Sequence, residues 1–367
     1  MKIDNQILKY SNMKTFFRIN IIIILTFVSS LNARDDKLVQ FINDRWIHFG
    51  DSNIVAVITN SSVKNSLSNN INPLTIEQIA IGKCNISLYE SQIYKYQNAF
   101  SVALVDFDID LLPTLFKIIS NLPKLTSITF VSMQIETLPN EFKLLTKLEE
   151  IEFNECKTIN NIDNIPDNLH NICFYNSYIS SFPDNSFKKN LKVIALEIKD
   201  LNTLPKNIEN IQSVEEVYLF CQNLSKVKFD FSSICRLKKL KKMKKFELRG
   251  IDLNSSGIPD CIFQLENLQS LSLENDMLSS IDSGMLNLKN LKELNLSFNN
   301  FTSILNIFFE IKNLTDLDLE SNQISDFIPE SVFYHGNIRR LNMINNPLTL
   351  KSKDLLNKYL HKTRIRY

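Results

Sequence analysis

An apolar pattern recurs along most of this chain. In its clearest copy, Leu291, Leu294, Leu296 and Phe301 stand at offsets 0, 3, 5 and 10, with Asn299 at offset 8. Twelve copies begin at residues 76, 99, 125, 148, 169, 191, 214, 243, 268, 291, 314 and 338, so most steps are 21 to 26 residues long. A single unit of this size cannot bury its apolar edge alone, so the period predicts a solenoid of stacked repeats.

The offsets within each copy predict a short strand followed by a turn. Offsets 3 and 5 flank one residue, which is the alternation typical of a strand with one face turned inward. A buried polar side chain at offset 8 can bond the backbone where the chain leaves the strand. The residues that suit this role are Asn299, Asn322, Asn346, Cys84 and Cys156. Less suitable residues predict an irregular ladder in the first and middle thirds, at Phe107, Met133, Lys199 and Ile251.

An apolar residue followed by proline marks the second half of many copies. Proline fixes φ and suits the first turn of a short helix. These pairs therefore predict short helical or 3-10 segments on the side opposite the strands. They are Leu112-Pro113, Leu138-Pro139, Ile165-Pro166, Phe182-Pro183, Leu204-Pro205, Ile258-Pro259 and Ile328-Pro329.

The copies resemble the leucine-rich-repeat family, and the resemblance covers residues 76–348. The fold class that it implies is an α/β solenoid, a leucine-rich-repeat horseshoe with a parallel concave β-sheet and short helical or 3-10 segments on the convex side. The resemblance also implies a binding function on the concave face. Such faces bind proteins mostly and sometimes glycans or lipids, and the fold alone does not choose among them.

The chain is predicted to have four parts: a signal peptide at 1–33, an N-terminal cap with a degenerate repeat at 34–75, about twelve repeats at 76–348, and a C-terminal capping helix at 349–367. From Met13 onward, a basic start, an apolar run and small residues describe a secretory signal peptide. The run is shorter than the roughly 20 residues of a membrane span. A secreted protein is therefore predicted. A cytoplasmic protein with an apolar N-terminus remains the alternative, and either Met1 or Met13 is the start.

Both ends of the repeat array are predicted to be covered without cysteine-rich caps, which many secreted members of the family carry. Residues 35–46 place apolar side chains along one helical stripe, and a degenerate strand follows around Ile54 to Ile58. The C-terminal helix is predicted to present one apolar face made of Leu355, Leu356, Tyr359 and Leu360.

Net charge and cysteine content limit the binding partners and the disulfide bonds that the chain can have. The formal charge is +1. Residues 1–33 contribute four basic residues and one acidic residue, a net +3, so their removal leaves about −2. Such a balance predicts no general affinity for nucleic acid. Among the six cysteines, only Cys235 and Cys261 stand on adjacent convex segments where a bond is feasible, and the sequence does not decide whether they pair.

The sequence gives little support for catalysis. Four scattered histidines have no cysteine or carboxylate at metal-ligand spacing, and six glycines leave no glycine-rich phosphate loop. We therefore predict a protein that is not an enzyme and that has no cofactor and no metal site.

A partner site is predicted at the centre of the concave face. It comprises Tyr175, Glu197, Tyr218, Phe220 and Arg249, at offsets 4 and 6 of the fifth to eighth copies. Aromatic residues and arginine are enriched at interface hot spots, so a protein ligand is expected here, with rings that face solvent in the free protein. The alternative is that the rings only cover sheet surface.

Charged residues flank this predicted site. Acidic stripes on the same face are interpreted as solvated surface; they comprise Glu274, Glu293, Asp316, Asp318 and Glu320 on one side and Glu150, Glu152 and Glu155 on the other. The basic run 236–245 is interpreted as an extended convex helix with a solvated basic face, and contact with an acidic surface stays open.

Overall fold

The computed structural model describes residues 54–58, 73–157, 159, 162–182, 190–199, 201–221, 228–325 and 337–367. The predicted signal peptide and the predicted helix at 35–46 lie outside the described residues. The chain divides into two compact units, one that ends at Met133 and one that runs from Gln134 to Tyr367.

Each unit contains a parallel sheet whose neighbouring strands are also consecutive in the sequence. The first unit has β1 (Ile54–Ile58), β2 (Ile76–Ile81), β3 (Ser101–Val105) and β4 (Ser127–Val131). The second has β5 (Glu150–Asn154), β6 (Asn171–Tyr175), β7 (Val193–Glu197), β8 (Glu216–Phe220), β9 (Lys245–Arg249), β10 (Ser270–Ser272), β11 (Glu293–Asn295), β12 (Asp316–Asp318), β13 (Arg340–Asn342) and β14 (Arg364–Arg366).

Strand register confirms the repeat that the sequence predicts. In the first unit the offset-3 residues Ile79, Val102 and Ile128 pair with one another across β2, β3 and β4. In the second unit the same offset pairs without a break from Ile151 on β5 to Leu341 on β13. Stacked copies thus bury one apolar row, and this confirms the predicted α/β solenoid.

Short helices and 3-10 turns follow many of the strands, as the proline pairs predict, although Ile165-Pro166 begins no helical segment. Pro183 and the Ile328-Pro329 pair lie outside the described residues. The α-helices are α1 (Glu90–Ile93), α2 (Leu112–Ile119), α3 (Leu253–Ser256), α4 (Ile307–Glu310) and α5 (Leu350–Tyr359). The 3-10 segments are Pro73–Thr75, Ile86–Leu88, Ile109–Leu111, Asn140–Leu144, Ile208–Asn210, Phe231–Lys239, Ile262–Gln264 and Ser283–Asn287. Pro113 lies in the first turn of α2, and Pro139 is the N-cap of the Asn140–Leu144 segment. Among the described residues, no helix is long and apolar enough to cross a membrane.

The asparagines at offset 8, which are buried at Asn299 and Asn322 and half-buried at Asn346, form the predicted ladder. The Asn299 Nδ2 group donates to the carbonyl oxygens of Leu273, Leu296 and Ser297 at 2.7, 3.1 and 3.2 Å. Its Oδ1 atom accepts from two backbone N–H groups of the preceding repeat. Asn322 and Asn346 repeat this arrangement. One side chain thereby satisfies several backbone groups that the turn leaves free.

Two local details concern the sixth copy and the C-terminus. In the sixth copy Lys199 is exposed, in line with the irregular ladder predicted there, and the neighbouring Ile198 is fully buried. At the C-terminus, Tyr359 of α5 is 39% exposed and does not belong to the apolar face predicted for this helix. The chain then adds β14, where Ile365 pairs with Leu341 and extends the sheet.

Cys235 and Cys261 form a disulfide between the Phe231–Lys239 segment and the start of the next 3-10 segment, with Cα atoms 4.9 Å apart. The remaining cysteines, Cys84, Cys156, Cys173 and Cys221, are buried. Burial raises the pKa of the Cys84 thiol to about 11, so this group stays protonated and inert at neutral pH.

Candidate partner-binding face

One face of the second unit's sheet carries the residues at offsets 2, 4 and 6, and we call it the sheet face. Because strand side chains alternate, the apolar offsets 3 and 5 point to the core and the intervening residues point to this face. All five predicted site residues lie on β6 to β9 or at their ends. Glu197 pairs with Phe220, and Phe220 pairs with Arg249, so three neighbouring strands hold one row.

The aromatic residues of the predicted site form two contacts on this face. The Tyr175 and Phe220 rings lie 5.0 Å apart between centroids, although β7 separates their strands. On β7, Glu197 is the residue in register with Phe220, so the two rings meet across the strand that carries this carboxylate. The Tyr218 ring lies under the Lys245 ammonium group at 5.1 Å, and its hydroxyl donates to Glu216.

The expectation that these rings face solvent is wrong. Tyr175, Tyr218 and Phe220 are only 7%, 4% and 8% exposed. The three rings therefore form the floor of the sheet face rather than anchors that project from it. Burial, together with hydrogen bonding to Glu216 and the nearby Glu247 charge, raises the pKa of Tyr218, so its hydroxyl remains a donor at every physiological pH.

The two charged members of the predicted site have different surroundings. Glu197 is 3% exposed, and its Oε2 atom accepts from the Asn176 backbone N–H at 2.8 Å, which ties it to the turn after β6. Arg249 keeps 20% of its side chain exposed and lies 3.8 Å from Glu274. Of this pair, Arg249 is thus the one that is accessible to a partner.

Two polar residues of the sheet face were not predicted as site residues. Glu247 on β9 is 8% exposed, and burial raises its pKa to about 7, while Arg249 and Lys245 oppose the shift and Glu274 adds to it. Ser272 on β10 pairs in register with Glu247 and is 6% exposed. Both occupy offset 4 of consecutive copies beside Tyr218, and that shared offset is the sequence signal that could have found them.

Acidic groups continue along the sheet face toward the C-terminus. Burial raises the pKa values of Glu274 and Asp318, and the carboxylate of Glu320 adds to both. Neutral side-chain amides hydrogen-bond these carboxylates: Asn295 donates to Glu274, and Asn342 donates to both Asp318 and Glu320, at 3.0 to 3.2 Å. At the other end of the face, burial and neighbouring Glu152 and Glu149 raise the pKa of Glu150 to about 8.

The convex basic run is partly engaged within the fold. Leu237, Leu240 and Met243 are buried at spacing 3, as predicted. The 3-10 segment ends at Lys239, so the run is not one extended helix. Arg236 bonds Glu209 and two carbonyl oxygens, while Lys241 remains exposed.

The repeat geometry agrees with a comparison to known families. The leucine rich repeat family model matches residues 266–324 and 289–348. Residues 266–348 thus belong to the leucine-rich-repeat family. Upstream of the match, the strands of the second unit keep the same register back to β5. Among the described residues, no group of three or more His, Cys, Asp or Glu side chains is placed to hold a metal ion.

The chain is also similar to solved structures from several organisms. A leucine-rich-repeat protein of Leptospira interrogans is 19% identical, with a TM-score of 0.44, over 82% of this chain and 92% of its own. An internalin of Listeria monocytogenes is 19% identical, with a TM-score of 0.43, over 80% of each chain. Toll of Drosophila, solved in complex with Spatzle, is 16% identical with a TM-score of 0.47 over 85% of this chain and 49% of its own.

Proposed function

We propose that this leucine-rich-repeat chain is a non-catalytic, secreted binding protein that recognises a protein partner on its sheet face, centred on Tyr175, Glu197, Tyr218, Phe220 and Arg249. The observation that carries the proposal is the packed aromatic floor beside the half-buried Arg249–Glu274 pair. A rigid apolar centre with charged groups at its edge is the composition of protein interfaces.

The dimensions of this surface favour a protein over a small molecule. The predicted site extends over four strands, β6 to β9, whose spacing of about 4.8 Å gives a width of roughly 14 Å. Its side chains are held by cross-strand pairing and by ring contacts, so little ordering is needed on association. A broad surface whose side chains are already ordered suits a folded protein partner.

Secretion is supported by the signal-like residues 1–33 and by the Cys235–Cys261 disulfide, since disulfides persist in oxidising compartments. The alternative is a cytoplasmic scaffold or regulatory adaptor. N-terminal sequencing of protein from its native source separates the two: secretion predicts a start between residues 30 and 35. An intact Met1 or Met13 in a cytosolic fraction would establish the alternative.

Binding is tested with a partner captured from the native secretions and then purified. Loss of a hot-spot side chain costs about 2 kcal/mol, or roughly thirtyfold in Kd. We expect Arg249→Ala and Phe220→Ala to weaken binding by this amount. The matched control is Lys241→Ala, which removes an exposed cation from the convex side.

Thermal unfolding by circular dichroism accompanies each measurement, because Phe220 is buried and its loss also affects packing. Arg249→Ala is the decisive variant, since its side chain is partly exposed. If only Lys241→Ala weakens the complex, the partner binds the convex basic run, and the proposed site is wrong.

A further inference from the structure

The sheet face from β9 to β12 carries more acid than base. Its offsets 4 and 6 contain Glu247, Glu274, Asp318 and Glu320, and Arg249 is the cation among them. Burial and mutual repulsion raise the pKa of Glu274, with Asp318 and Glu320 among the causes. Amide groups of asparagine, which carry no charge, hydrogen-bond three of these four carboxylates. Arg249, which pairs with Glu274, is one cation among four carboxylates, so a second cation from outside the chain would relieve the remaining repulsion.

An independent feature marks one point in this region. The Ser272 hydroxyl is buried, with the residue 6% exposed, and within the described part of the chain its Oγ atom has no hydrogen-bond partner. Native proteins rarely leave a buried hydroxyl unpaired, because desolvation without a partner is costly.

The place of Ser272 indicates what the missing partner is. Ser272 lies on β10 between Glu247 on β9 and Asn295 on β11, in register with both. A donor that reaches this hydroxyl also comes close to the Glu247 carboxylate on one side. Glu274, two residues along the same strand direction, lies on the same face. The Ser272 Oγ atom can therefore accept a hydrogen bond from a charged donor that also contacts the Glu247 carboxylate.

We propose that Glu247, Ser272 and Glu274 form a subsite for a lysine or arginine side chain of the protein partner. The ammonium or guanidinium group donates to the Ser272 Oγ atom and to the two carboxylates. This inference rests on the proposed function, since the cation arrives on a protein that docks on the sheet face. A metal ion is disfavoured, because no set of three His, Cys, Asp or Glu side chains in the described ranges is close enough to hold one.

The probe is a fluorescein-labelled peptide of alternating lysine and glycine, compared with the same peptide acetylated at every lysine. Anisotropy titrations use the full-length mature protein at low salt. We expect the lysine peptide to bind and the acetylated one to bind at least tenfold more weakly. Glu247→Gln weakens the lysine peptide about tenfold and Ser272→Ala about threefold, since charged hydrogen bonds are the stronger ones.

The control Glu266→Gln removes the same charge from an exposed position outside the sheet face and leaves affinity unchanged. Equal affinity in Glu247→Gln, Ser272→Ala and Glu266→Gln would show only diffuse electrostatic attraction and overturn the subsite. So would equal binding of the acetylated peptide. A calcium chloride titration that gives saturable heat, lost in Glu247→Gln, would overturn the amine assignment in favour of a metal ion.

The pH dependence of the affinity for the lysine peptide is a further readout, which non-specific electrostatic attraction does not give. Burial places the pKa of Glu247 at about 7, with Lys245 and Arg249 on its own strand and Glu274 and Tyr218 on its neighbours. A bound cation favours the carboxylate form, so affinity rises from pH 6 to 8 in the native protein. Glu247→Gln abolishes most of that rise, and an unchanged pH profile in this variant would count against the subsite.

Failure of this inference is distinguishable from failure of the proposed function. If the captured partner depends on Arg249 and Phe220 but not on Glu247 or Ser272, the subsite is wrong and the binding face stands. If the partner depends on none of the four, the proposed face itself is wrong.

Discussion

Asp276 occupies the ladder position at which the following three repeats carry asparagine, and Asp276→Asn is expected to stabilise the protein. Its Oδ1 atom accepts from the Ile251 N–H at 2.9 Å. Its Oδ2 atom is buried and lacks a hydrogen-bond partner among the described residues. The equivalent atom of Asn299 is Nδ2, which donates to three carbonyl oxygens. By the same offsets, the carbonyls that match these around Asp276 belong to Leu248 of the preceding repeat and to Leu273 and Glu274.

The magnitude follows from this mismatch. A carboxylate oxygen cannot donate a hydrogen bond. At neutral pH the Asp276 Oδ2 atom is therefore either repelled by the neighbouring carbonyl oxygens or carries a proton taken from solution. A buried polar group without a partner costs about 1–3 kcal/mol, and a made hydrogen bond contributes about 1 kcal/mol net. We therefore expect the isosteric Asp276→Asn change to raise the free energy of unfolding by about 1–3 kcal/mol at pH 7.

The pH dependence has a definite sign. Burial raises the pKa of Asp276 well above its usual range; the Ile251 N–H and Arg249 oppose the shift, and Glu247 and Glu274 add to it. The folded state therefore holds this proton more tightly than the unfolded chain does. Its stabilising contribution is complete below the unfolded pKa of about 4 and is lost as pH rises toward the folded pKa. The advantage of Asp276→Asn should accordingly grow from pH 4 to pH 8.

Urea unfolding followed by circular dichroism, in steps from pH 4 to pH 8, measures this difference. The reciprocal control is Asn299→Asp, which places the same carboxyl group before the carbonyls of Leu273, Leu296 and Ser297 and should destabilise with the opposite trend. The reasoning is refuted if Asp276→Asn is no more stable than the native protein at pH 7. A gain that is largest at pH 4 would refute the assigned protonation state.

Two further predictions concern the backbone of the second unit. Replacing both Cys235 and Cys261 by serine removes a cross-link over a separation of 26 residues and should lower the free energy of unfolding by about 3 kcal/mol, measured by urea unfolding with and without reductant. If reductant leaves the native protein's midpoint unchanged, the cross-link does not contribute. Gly250→Ala should cost more than about 2 kcal/mol, because Gly250 has φ +76° and a Cβ atom there would clash with the Cys221 carbonyl oxygen. Gly257→Ala is the control, since Gly257 has the same φ and open space around it.

Much of the architecture was predictable from the sequence because it depends on short-range, repeated signals. The apolar offsets specify which strand residues face the core, and the period specifies which residues of neighbouring strands pair. Both are confirmed from Ile151 to Leu341. The asparagine ladder could likewise be predicted from the sequence, because its hydrogen-bond partners stand at fixed offsets from Asn299.

The sheet face was predictable only in part. The sequence assigns Tyr175 and Phe220 to this face, but it does not show that the two rings meet across the strand between them. Residue type suggested exposed anchors, whereas packing between strands buries the rings.

The sequence by itself determined the solenoid, its strand register and its buried asparagines, since each repeat encodes them locally and the next repeat encodes them again. Only the tertiary structure decided which polar groups are left without partners. The sequence shows that Asp276 stands where the next three repeats carry asparagine, but only the structure shows that its Oδ2 atom and the Ser272 hydroxyl are buried without a hydrogen-bond partner among the described residues. The tertiary structure also decided the Cys235–Cys261 bond. The positions of these two cysteines within their copies differ by one residue, and the bond forms because their convex segments are adjacent. Contacts between repeats depend on side-chain length and backbone path together, and no single repeat specifies both.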